Sequence, residues 1–457
     1  MNVLVIGQHY YPEVTAAVNR LSALAEALGR LGHRVTVIAP KPNHPAGRIA
    51  EQYRGPAVKV EDVSGVEVHY TWVYTSPRKG VPSRVLYYAS FTLMAIFAAL
   101  RLKGRYDVVF ASCPPPLVGV AGWAIARMKR AKFVLDVRDL WPGLAIALGE
   151  LRNPVAIAAA RAVESLGYRT ADGIIAVTRP FKAEIERRIA KRVPVELISN
   201  GALPLFLDAD RARDQTRSEK GWEKRFVVSY VGNVGVCQGL MHLVDAAEIL
   251  EDVAPEVLVF VQGHGVVKDR LIAEARSRGL KNMTFEGIAP TEAAAASMAA
   301  SDALVVPLAR VPMADQFVPS KLFDSMAVGK PVLLAVAGEA LRILEEAGAG
   351  LGYTAEDGKM LAAAILDLRA DPVRAHEMGV KGREFVKAGY MRSDLSEQMV
   401  KFMGRICADG AAEVLAIGTS PNWAGPESRS ISSAPTQIAA TTRLRRRLAR
   451  LTIQWRH

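Results

Sequence analysis

Residues 318–334, VPSKLFDSMAVGKPVLL, combine the start of a short helix with a following apolar strand. Ser320 can cap this helix, and Lys321 adds a positive charge where free backbone N–H groups already attract anions. Asp324 follows Lys321 by three residues, so the two side chains share one face of the helix. The segment predicts a phosphate site with a carboxylate close to the hydroxyl groups of an attached sugar. The alternative interpretation is an ordinary capped helix between two strands.

Short apolar segments alternate with amphipathic helical patterns along the chain, which indicates parallel sheets with helices on both faces. A chain of 457 residues is also too long for one hydrophobic core. The polar stretch 208–224 separates two sets of segments and is predicted to be a linker. We therefore expect an α/β protein with two doubly wound domains and a ligand cleft at the carboxyl ends of the strands. The predicted strands are 2–6, 34–39, 66–72, 108–111, 133–137, 173–177, 195–198, 226–231, 257–262, 283–286, 303–306 and 331–335.

The composition is that of a folded, basic protein. Half of the residues are apolar, which argues against disorder. The formal net charge of +12 predicts attraction to nucleotide phosphates, nucleic acid or an anionic membrane. The three cysteines, Cys113, Cys237 and Cys407, show neither metal-ligand spacing nor a disulfide framework. No signal-peptide pattern opens the chain, so we expect a cytoplasmic protein.

Four segments carry a resemblance to a known family. They are MNVLVIGQHYYPEVTAAVNR at residues 1–20, LDVRDLWP at 135–142, YVGNVGVCQGL at 230–240, and the segment 318–334. In order and spacing they resemble the family-4 glycosyltransferases of the two-domain GT-B fold, most closely the WbuB-type enzymes of bacterial surface polysaccharide synthesis.

The resemblance extends from Met1 to about Ile406 and implies two Rossmann-like domains that face each other across a cleft. It implies an acceptor-side domain over residues 1–205 and a nucleotide-sugar donor domain over 206–390. A helix over 391–407 is then expected to return to the first domain. Residues 408–457, rich in Ser, Ala, Gly and Pro and then in arginine, are interpreted as a flexible basic tail, with a membrane-surface segment or a nucleic-acid arm as alternatives.

The activity implied by the resemblance is transfer of a sugar from a nucleotide diphosphate donor with retention at the anomeric carbon. A UDP-sugar is favoured, with N-acetyl-L-fucosamine as a candidate, and the acceptor is a glycan on polyprenyl diphosphate in O-antigen or capsule synthesis. No cofactor and no nucleic-acid partner are expected. No Asp-x-Asp metal motif is identified, so we expect no required metal ion. The alternatives are a GT-B protein that binds without turnover and a GT-B nucleotide-sugar epimerase.

The resemblance places the donor on loops and a helix start of the second domain. Asn233 and Gln238 stand where many relatives carry arginine and lysine, and His264 replaces an aspartate. Gln316 and Asp324 stand where the family has paired glutamates, so Gln316 is a catalytic candidate without a negative charge. The predicted donor-binding residues are Gly232, Asn233, Gln238, Gly239, Gly263, His264, Pro319, Ser320, Lys321, Leu322 and Asp324.

The first domain offers polar groups at two loops that follow strands. Arg138 and Asp139 are catalytic candidates that contact the transferred sugar or the acceptor, or else form a salt bridge that fixes their loop. The loop after the first strand lacks the spaced glycines of a dinucleotide-binding fingerprint, which disfavours NAD or FAD. Helix capping is the alternative for Glu13 and Thr15. The predicted acceptor-side residues are Glu13, Thr15, Asn19, Arg20 and Trp141.

Residues 85–100, VLYYASFTLMAIFAAL, form an uncharged run between Arg84 and Arg101. Sixteen residues are short for a membrane span, which usually needs about twenty. Basic flanks on both sides favour a helix that lies in the membrane interface, and a buried core helix is the alternative. We therefore expect a protein peripherally attached to the inner face of the cell membrane, where it reaches its lipid-linked acceptor.

Overall fold

The computed structural model describes residues 1–44, 46–77, 80–147, 149, 151–190 and 193–408. These residues form two α/β domains, each built on one largely parallel sheet with hydrophobic cores on both faces. The predicted pair of doubly wound domains is confirmed. The predicted tail over 408–457 lies outside the described residues except for Ala408.

The first sheet lies in the N-terminal half. Its strands are β1 (Asn2–Gly7), β2 (Arg34–Pro40), β3 (Val58–Val63), β4 (Val66–Thr71), β5 (Val108–Cys113), β6 (Lys132–Val137), β7 (Gly173–Ala176) and β8 (Val195–Leu197). They lie in the order β3-β4-β2-β1-β5-β6-β7-β8, with β3 antiparallel to β4. Leu4 and Ile6 of β1 pack on one face while Val3 and Val5 pack on the other. Burial on both faces explains why β1 is apolar from Val3 onward.

Helices cover both faces of the first sheet. α1 begins directly after the loop that follows β1, and α2 connects β4 to β5. The helices of this half are α1 (Ala16–Arg30), α2 (Val81–Arg101), α3 (Leu117–Lys129), α4 (Gly143–Ala147), α5 (Pro154–Thr170) and α6 (Arg179–Ile189).

The second sheet repeats the design with six strands. They are β9 (Phe226–Val231), β10 (Val257–Gln262), β11 (Met283–Glu286), β12 (Ala303–Pro307), β13 (Val332–Ala335) and β14 (Gly350–Gly352), in the order β11-β10-β9-β12-β13-β14. Its helices are α7 (Arg213–Glu219), α8 (His242–Val253), α9 (Lys268–Ser277), α10 (Thr291–Ala300), α11 (Ser320–Ala327), α12 (Glu339–Ala347), α13 (Gly358–Ala370) and α14 (Pro372–Gly389).

Both sheets reverse their strand order beside their first strand. β1 lies between β2 and β5, and β9 lies between β10 and β12. In open α/β sheets, ligands bind in the crevice at such a reversal, outside the carboxyl ends of the strands. The loops that carry the predicted site residues follow these strands.

The chain crosses between the domains twice, and the two crossings run side by side. The Ala202 N–H donates to the Tyr390 carbonyl at 2.9 Å, and the Arg392 N–H donates to the Ala202 carbonyl at 2.9 Å. The last described helix, α15 (Arg392–Ala408), then packs on α1 of the first domain. The hydrophobic core between α1 and the first sheet therefore includes residues of α15, at the end of the described chain.

The stretch 208–224, predicted as a linker, is folded. It contains a 3₁₀ turn followed by α7, and both pack against α10 of the second domain. Trp222 is buried against Phe260, and Arg217 donates to the carbonyls of Trp222 and Arg225. Its polar composition misled the prediction because Arg217 binds backbone carbonyls and Trp222 is buried, while other charged side chains of the stretch, such as Arg211, lie on the surface of the folded segment.

α2 has one buried face and one exposed apolar face. Phe91 and Ala95 are fully buried in the first domain, whereas Leu86, Leu93 and Leu100 are 52, 69 and 64% exposed. By length and composition, α2 meets the requirements of a membrane-crossing helix, with 28% of its apolar window buried. The buried face agrees with the core-helix alternative, and contact of the exposed face with a membrane interface stays a prediction.

Candidate active site

Two glycines form the floor of the candidate donor site. Gly232 follows β9 and Gly263 follows β10, with φ angles of 143° and 142° that residues with a side chain rarely adopt. The Gly232 N–H donates to the Gln262 carbonyl at 2.9 Å. A Cβ on Gly263 would stand 1.8 Å from the Gly232 carbonyl oxygen. The two loops therefore pack backbone against backbone, which requires glycine at both positions.

Lys321 places its ammonium group against this floor. Its Nζ donates to Tyr230 Oη at 2.8 Å and would be 2.5 Å from a Cβ on Gly232. Burial lowers the pKa of Lys321 to about 8, and the Asp324 carboxylate opposes that shift. Because the hydrogen-bond partner of Lys321 is a neutral phenol, the site can gain an anionic ligand that compensates the buried charge.

Tyr230 also belongs to this candidate site, although its sequence position alone did not identify it. Its hydroxyl donates to the Asn233 carbonyl at 2.5 Å, and its ring lies 4.2 Å from Lys321 Nζ. Burial raises its pKa well above the ordinary value. Tyr230 thus ties the first glycine loop to the lysine. Its place in the YVGN segment, two residues before Gly232, was the available signal.

Two details predicted for α11 are wrong. Ser320 does not cap the helix but is its first residue, with Pro319 in the N-cap position and no side chain accepting from the first turn. Leu322 does not face a donor, because its side chain is fully buried in the core of the second domain. The Leu322 N–H donates to the Pro319 carbonyl at 3.0 Å, whereas the N–H groups of Ser320 and Lys321 make no hydrogen bond among those described for the chain. The helix start therefore keeps the free N–H groups that an anion site requires.

Asp324 lies between Lys321 and the crossover. Its Oδ1 accepts the Leu203 N–H at 3.4 Å. Burial raises its pKa to about 6, while the Arg392 guanidinium, the Leu203 N–H and Lys321 oppose that shift. The carboxyl group is therefore ionised at neutral pH. Its predicted contact with sugar hydroxyl groups stays a prediction.

Gln316 lies in a loop that bridges the two domains. The loop connects β12 to α11, and Gln316 ends a short 3₁₀ turn in it. Phe317 packs edge to face on Phe181 of α6, with 5.2 Å between ring centres, and Met313 lies beside Gly143 of α4. These contacts hold the loop that carries Gln316 against the first domain.

The other donor candidates lie on the two glycine loops. Gln238 uses its side-chain oxygen inside its own loop, where it accepts the Gly235 N–H at 3.1 Å. Gly239 ends the loop in a left-handed conformation, with φ of 59°. Asn233 and His264 are exposed. The first loop thus relies on backbone groups, and the nearby cation comes from Lys321.

Arg138, Asp139 and Trp141 follow β6 at the carboxyl edge of the first sheet. Arg138 Nε donates to Ser112 Oγ at 3.0 Å. Burial raises the pKa of Asp139 to about 6, and the Arg138 guanidinium opposes that shift. Asp139 and Trp141 also line a small cavity of about 20 Å³ together with Glu164. Electrostatics within the loop account for this arrangement, and a sugar contact stays a prediction.

Arg20 cannot serve as the predicted acceptor contact. It is 3% exposed and forms a two-point ion pair with Asp136, with Nη2 and Nε at 2.8 and 3.1 Å from the carboxylate oxygens. Its other bonds go to the carbonyls of Ile198 and Ser199. The guanidinium therefore joins α1, β6 and the segment after β8, and it is fully occupied within the protein.

Two of the remaining acceptor candidates make structural hydrogen bonds, Thr15 at a helix start and Glu13 to a neighbouring loop. Thr15 caps α1 by accepting the Val18 N–H at 3.2 Å, as the capping alternative predicted. Glu13 is not a cap, because its Oε1 accepts the N–H groups of Asn43 and His44 at 2.7 and 2.8 Å. Asn19 is half-buried on the first turn of α1.

No cluster of three or more potential metal ligands occurs among the described residues. The chain does contain one Asp-x-Asp pattern, at Asp208 and Asp210, just after the first crossing. Asp208 pairs with Arg211 at 3.2 Å, and Asp210 pairs with Arg383. Both carboxylates are thus engaged in ion pairs.

Two family models match the chain in succession. Residues 15–201 match the glycosyl transferase 4-like domain, and residues 212–385 match the glycosyl transferases group 1 domain. A related sequence is the putative colanic acid biosynthesis glycosyl transferase WcaI of Escherichia coli K12. It is 27% identical over 341 residues, which cover 72% of this chain and 82% of WcaI.

Solved structures with similar architecture cover nearly the whole chain. Sucrose-phosphate synthase from Thermosynechococcus elongatus superposes with a TM-score of 0.68 at 20% identity, covering 90% of this chain and all of that one. Anabaena HepE in complex with UDP-glucose superposes with a TM-score of 0.65 at 17% identity, covering 89% of this chain and all of that one. At these identities the likeness establishes the two-domain fold.

Proposed function

Because the chain belongs to the glycosyltransferases that join a 4-like domain to a group 1 domain in the GT-B fold, we propose that it transfers a sugar from a nucleotide diphosphate to a lipid-linked glycan. Transfer retains the configuration at the anomeric carbon, and the product enters a bacterial surface polysaccharide. Similarity to WcaI supports this process. Family membership favours turnover over the binding-only and epimerase alternatives.

The observation that carries the proposal is the Lys321 ammonium held against Gly232 at the start of α11. When the bond between the anomeric carbon and the diphosphate breaks, negative charge grows on the departing oxygens. Lys321 and the N–H groups of α11 and of the loop after β9 are placed to stabilise that charge. One such preorganised donor contributes about 3 kcal/mol in comparable sites. In this mechanism the departing phosphate takes the proton of the acceptor hydroxyl group.

α2 supports a lipid-linked acceptor at the membrane surface. Its exposed leucines, Leu86, Leu93 and Leu100, recur at helical spacing, and the Arg101 guanidinium stacks 4.1 Å over the Phe97 ring. An apolar helix face with basic residues at its ends binds in the interface of anionic membranes. Since α2 follows β4, whose carboxyl end lies at the cleft edge of the first sheet, a lipid held along α2 would bring its head group towards the cleft.

The donor and the pathway are proposed in more detail from the WbuB resemblance. We infer UDP as the nucleotide, N-acetyl-L-fucosamine as a candidate sugar, and O-antigen or capsule as the product. The HepE structure contains UDP-glucose, which supports a uridine nucleotide. Attachment to the inner face of the cell membrane follows from the same proposal.

The test uses the purified full chain with UDP-, GDP-, ADP- and dTDP-sugars and a polyprenyl-diphosphate-linked saccharide. Mass spectrometry detects transfer to the lipid, and NMR determines the anomeric configuration of the product. Lys321→Ala and Asp324→Ala should abolish transfer. Lys359→Ala, which removes the same charge from an exposed position on α13, is the matched control and should retain it.

Two outcomes would contradict the proposal. Tight nucleotide-sugar binding without product from any donor and acceptor pair would support the binding-only alternative, and Gln316→Glu would then be the variant to examine. A product with inverted anomeric configuration would support transferase activity but contradict the retaining mechanism.

A further inference from the structure

A polar cluster at the cleft edge of the first domain lies apart from the donor residues described above. Gln8 and His9 follow β1, Asn43 follows β2, and Tyr87 lies in the second turn of α2. Glu13, from the loop before α1, links them. β1 and β2 are neighbours in the sheet, so their carboxyl ends bring these side chains to one place.

Gln8 is the member of this cluster that the folded chain leaves unsatisfied. It is 3% exposed, and neither its amide oxygen nor its amide nitrogen makes a hydrogen bond of normal length, although contact with Gln8 lowers the pKa of the Tyr87 hydroxyl against the larger effect of burial. Buried side-chain amides are almost always paired, because an unpaired one loses its bonds to water without replacement. Gln8 therefore offers both donor and acceptor positions to a ligand.

The side chains around Gln8 are held in fixed positions. His9 Nδ1 lies 2.5 Å from Glu13 Oε2, and Asn43 Nδ2 donates to Tyr87 Oη at 3.2 Å. Burial raises the pKa of Glu13, but the His9 ring and the N–H groups of Asn43 and His44 outweigh burial and hold it below its ordinary value. The cluster is thus preorganised before any ligand arrives, which reduces the entropy that binding must overcome.

His9 provides access to the cluster. Its side chain is 25% exposed, while that of Glu13 is 4% exposed. Since Nδ1 faces Glu13, the opposite ring nitrogen, Nε2, makes no hydrogen bond among those described for the chain and lies on the far side of the ring. Of the two side chains, His9 is therefore the more accessible to a ligand, since Gln8 is only 3% exposed.

The chemistry of the cluster selects a neutral, hydroxylated ligand. The described contacts of the five residues include no lysine or arginine side chain, and Glu13 contributes a negative charge. This environment disfavours a diphosphate, which needs cations or helix N-termini. Sugar hydroxyl groups both donate and accept, so they match an amide with an imidazole beside it.

The position of α2 indicates from which side the ligand approaches the cluster. Tyr87 contacts the cluster from the inner face of this helix, and Leu86 lies exposed beside it on the outer face. A lipid chain along the outer face and a sugar at Tyr87 would belong to one molecule, with the sugar close to the lipid carrier.

We propose that Gln8 and His9 bind hydroxyl groups of the acceptor sugar, and that Tyr87 lies between this sugar and its lipid carrier. The inference rests on the proposed function, because it takes the acceptor to be a lipid-linked sugar. Gln8 and His9 bind and orient the acceptor. The proton of its hydroxyl group still leaves with the donor phosphate.

The test measures sugar binding directly, without turnover. Saturation-transfer NMR is recorded on the full chain with UDP and, in turn, glucose, galactose, N-acetylglucosamine and L-fucose. At least one sugar should show saturable binding to the wild type. Its affinity should fall about 5- to 10-fold in Gln8→Ala and in His9→Ala, as expected for the loss of one hydrogen bond. UDP affinity should stay unchanged in both variants.

The matched control is His69→Ala. His69 also pairs with a glutamate, Glu67, at 2.6 Å, but it lies within β4 away from the cleft edge. This variant should bind the sugar as the wild type does. If Gln8→Ala fails to fold, the partly exposed His9 still provides the comparison.

The outcomes separate this inference from the proposed function. Absence of binding by every sugar, equal binding in wild type and both variants, or displacement of the sugar by polyprenyl diphosphate without a sugar would overturn the acceptor site. Gln8-dependent sugar binding without transfer to any lipid would keep the site and overturn the proposed function. Transfer to the lipid with an unchanged acceptor KM in both variants would keep the proposed function and overturn the acceptor site.

Discussion

At the scale of single residues, the charge on Lys321 is expected to control donor binding. Burial lowers its pKa to about 8, so the ammonium form dominates below that pH and is lost as the pH rises. We expect the affinity for UDP to fall about tenfold between roughly pH 7 and pH 9. Calorimetric titration of wild type and Lys321→Arg measures this. Arginine keeps its charge, so an equal fall in both proteins would assign the effect to another group.

The buried ion pair between Arg20 and Asp136 is expected to stabilise the first domain only while both partners are present. Asp136→Ala leaves a guanidinium buried without its partner, which typically costs about 3–5 kcal/mol. Urea unfolding of the first domain measures the loss. The control is Glu397→Ala, which breaks the exposed pair with Arg30 and should cost less than about 1 kcal/mol. Similar losses in the two variants would contradict a special role for burial.

At the scale of elements, α2 is expected to bind membranes through its outer face. Replacing Leu86, Leu93 and Leu100 with serine removes exposed apolar surface, so the melting temperature should hardly change. Binding to vesicles of anionic phospholipid should fall at least about tenfold, because each leucine loses part of its transfer free energy. Vesicle flotation measures this. Val155→Ser, at a 76% exposed position on α5, is the control, and an equal loss there would refute the assignment.

The elements that the sequence predicted well are those with uninterrupted apolar runs. β9 and β10 have the predicted limits because both faces of each strand are buried. β3 was missed because its residues, VKVEDV, are half-exposed and charged, and β14 because Gly350 and Gly352 carry no β-strand signal. Such edge strands are defined by their neighbours, as Gly350 is by its pairing with Val332.

At the scale of the whole molecule, the Phe317 contact with Phe181 is expected to couple the two domains. Phe317→Ala removes an aromatic pair that typically contributes about 0.5–1.5 kcal/mol beyond its buried area. The variant should keep its affinity for UDP, while kcat falls about tenfold because Gln316 loses its support. Phe317→Leu should be intermediate. Steady-state kinetics with calorimetry measures both quantities, and a change in UDP affinity alone would contradict the coupling role.

The candidate site was predictable where it depends on local sequence and not where it depends on distant partners. Gly232, Gly263 and Lys321 were identified from loops and a helix start that follow strands. The occupation of Arg20 by Asp136 could not be predicted, because 116 residues separate them. The inward face of Leu322 likewise depends on how α11 packs, and the unpaired amide of Gln8 appears only once its surroundings are known.

The return of α15 to the first domain has a consequence for synthesis on the ribosome. The strands of the first sheet are complete at Leu197, but the apolar surface of α1 stays uncovered until residues up to Ile406 have been made. At roughly 5–20 residues per second, about 200 further residues take about 10–40 seconds. The second domain is translated within that interval, so the domain that begins the chain is the last to be finished. A nascent chain that stops before α15 would present bare apolar surface, which makes it a natural client for chaperones.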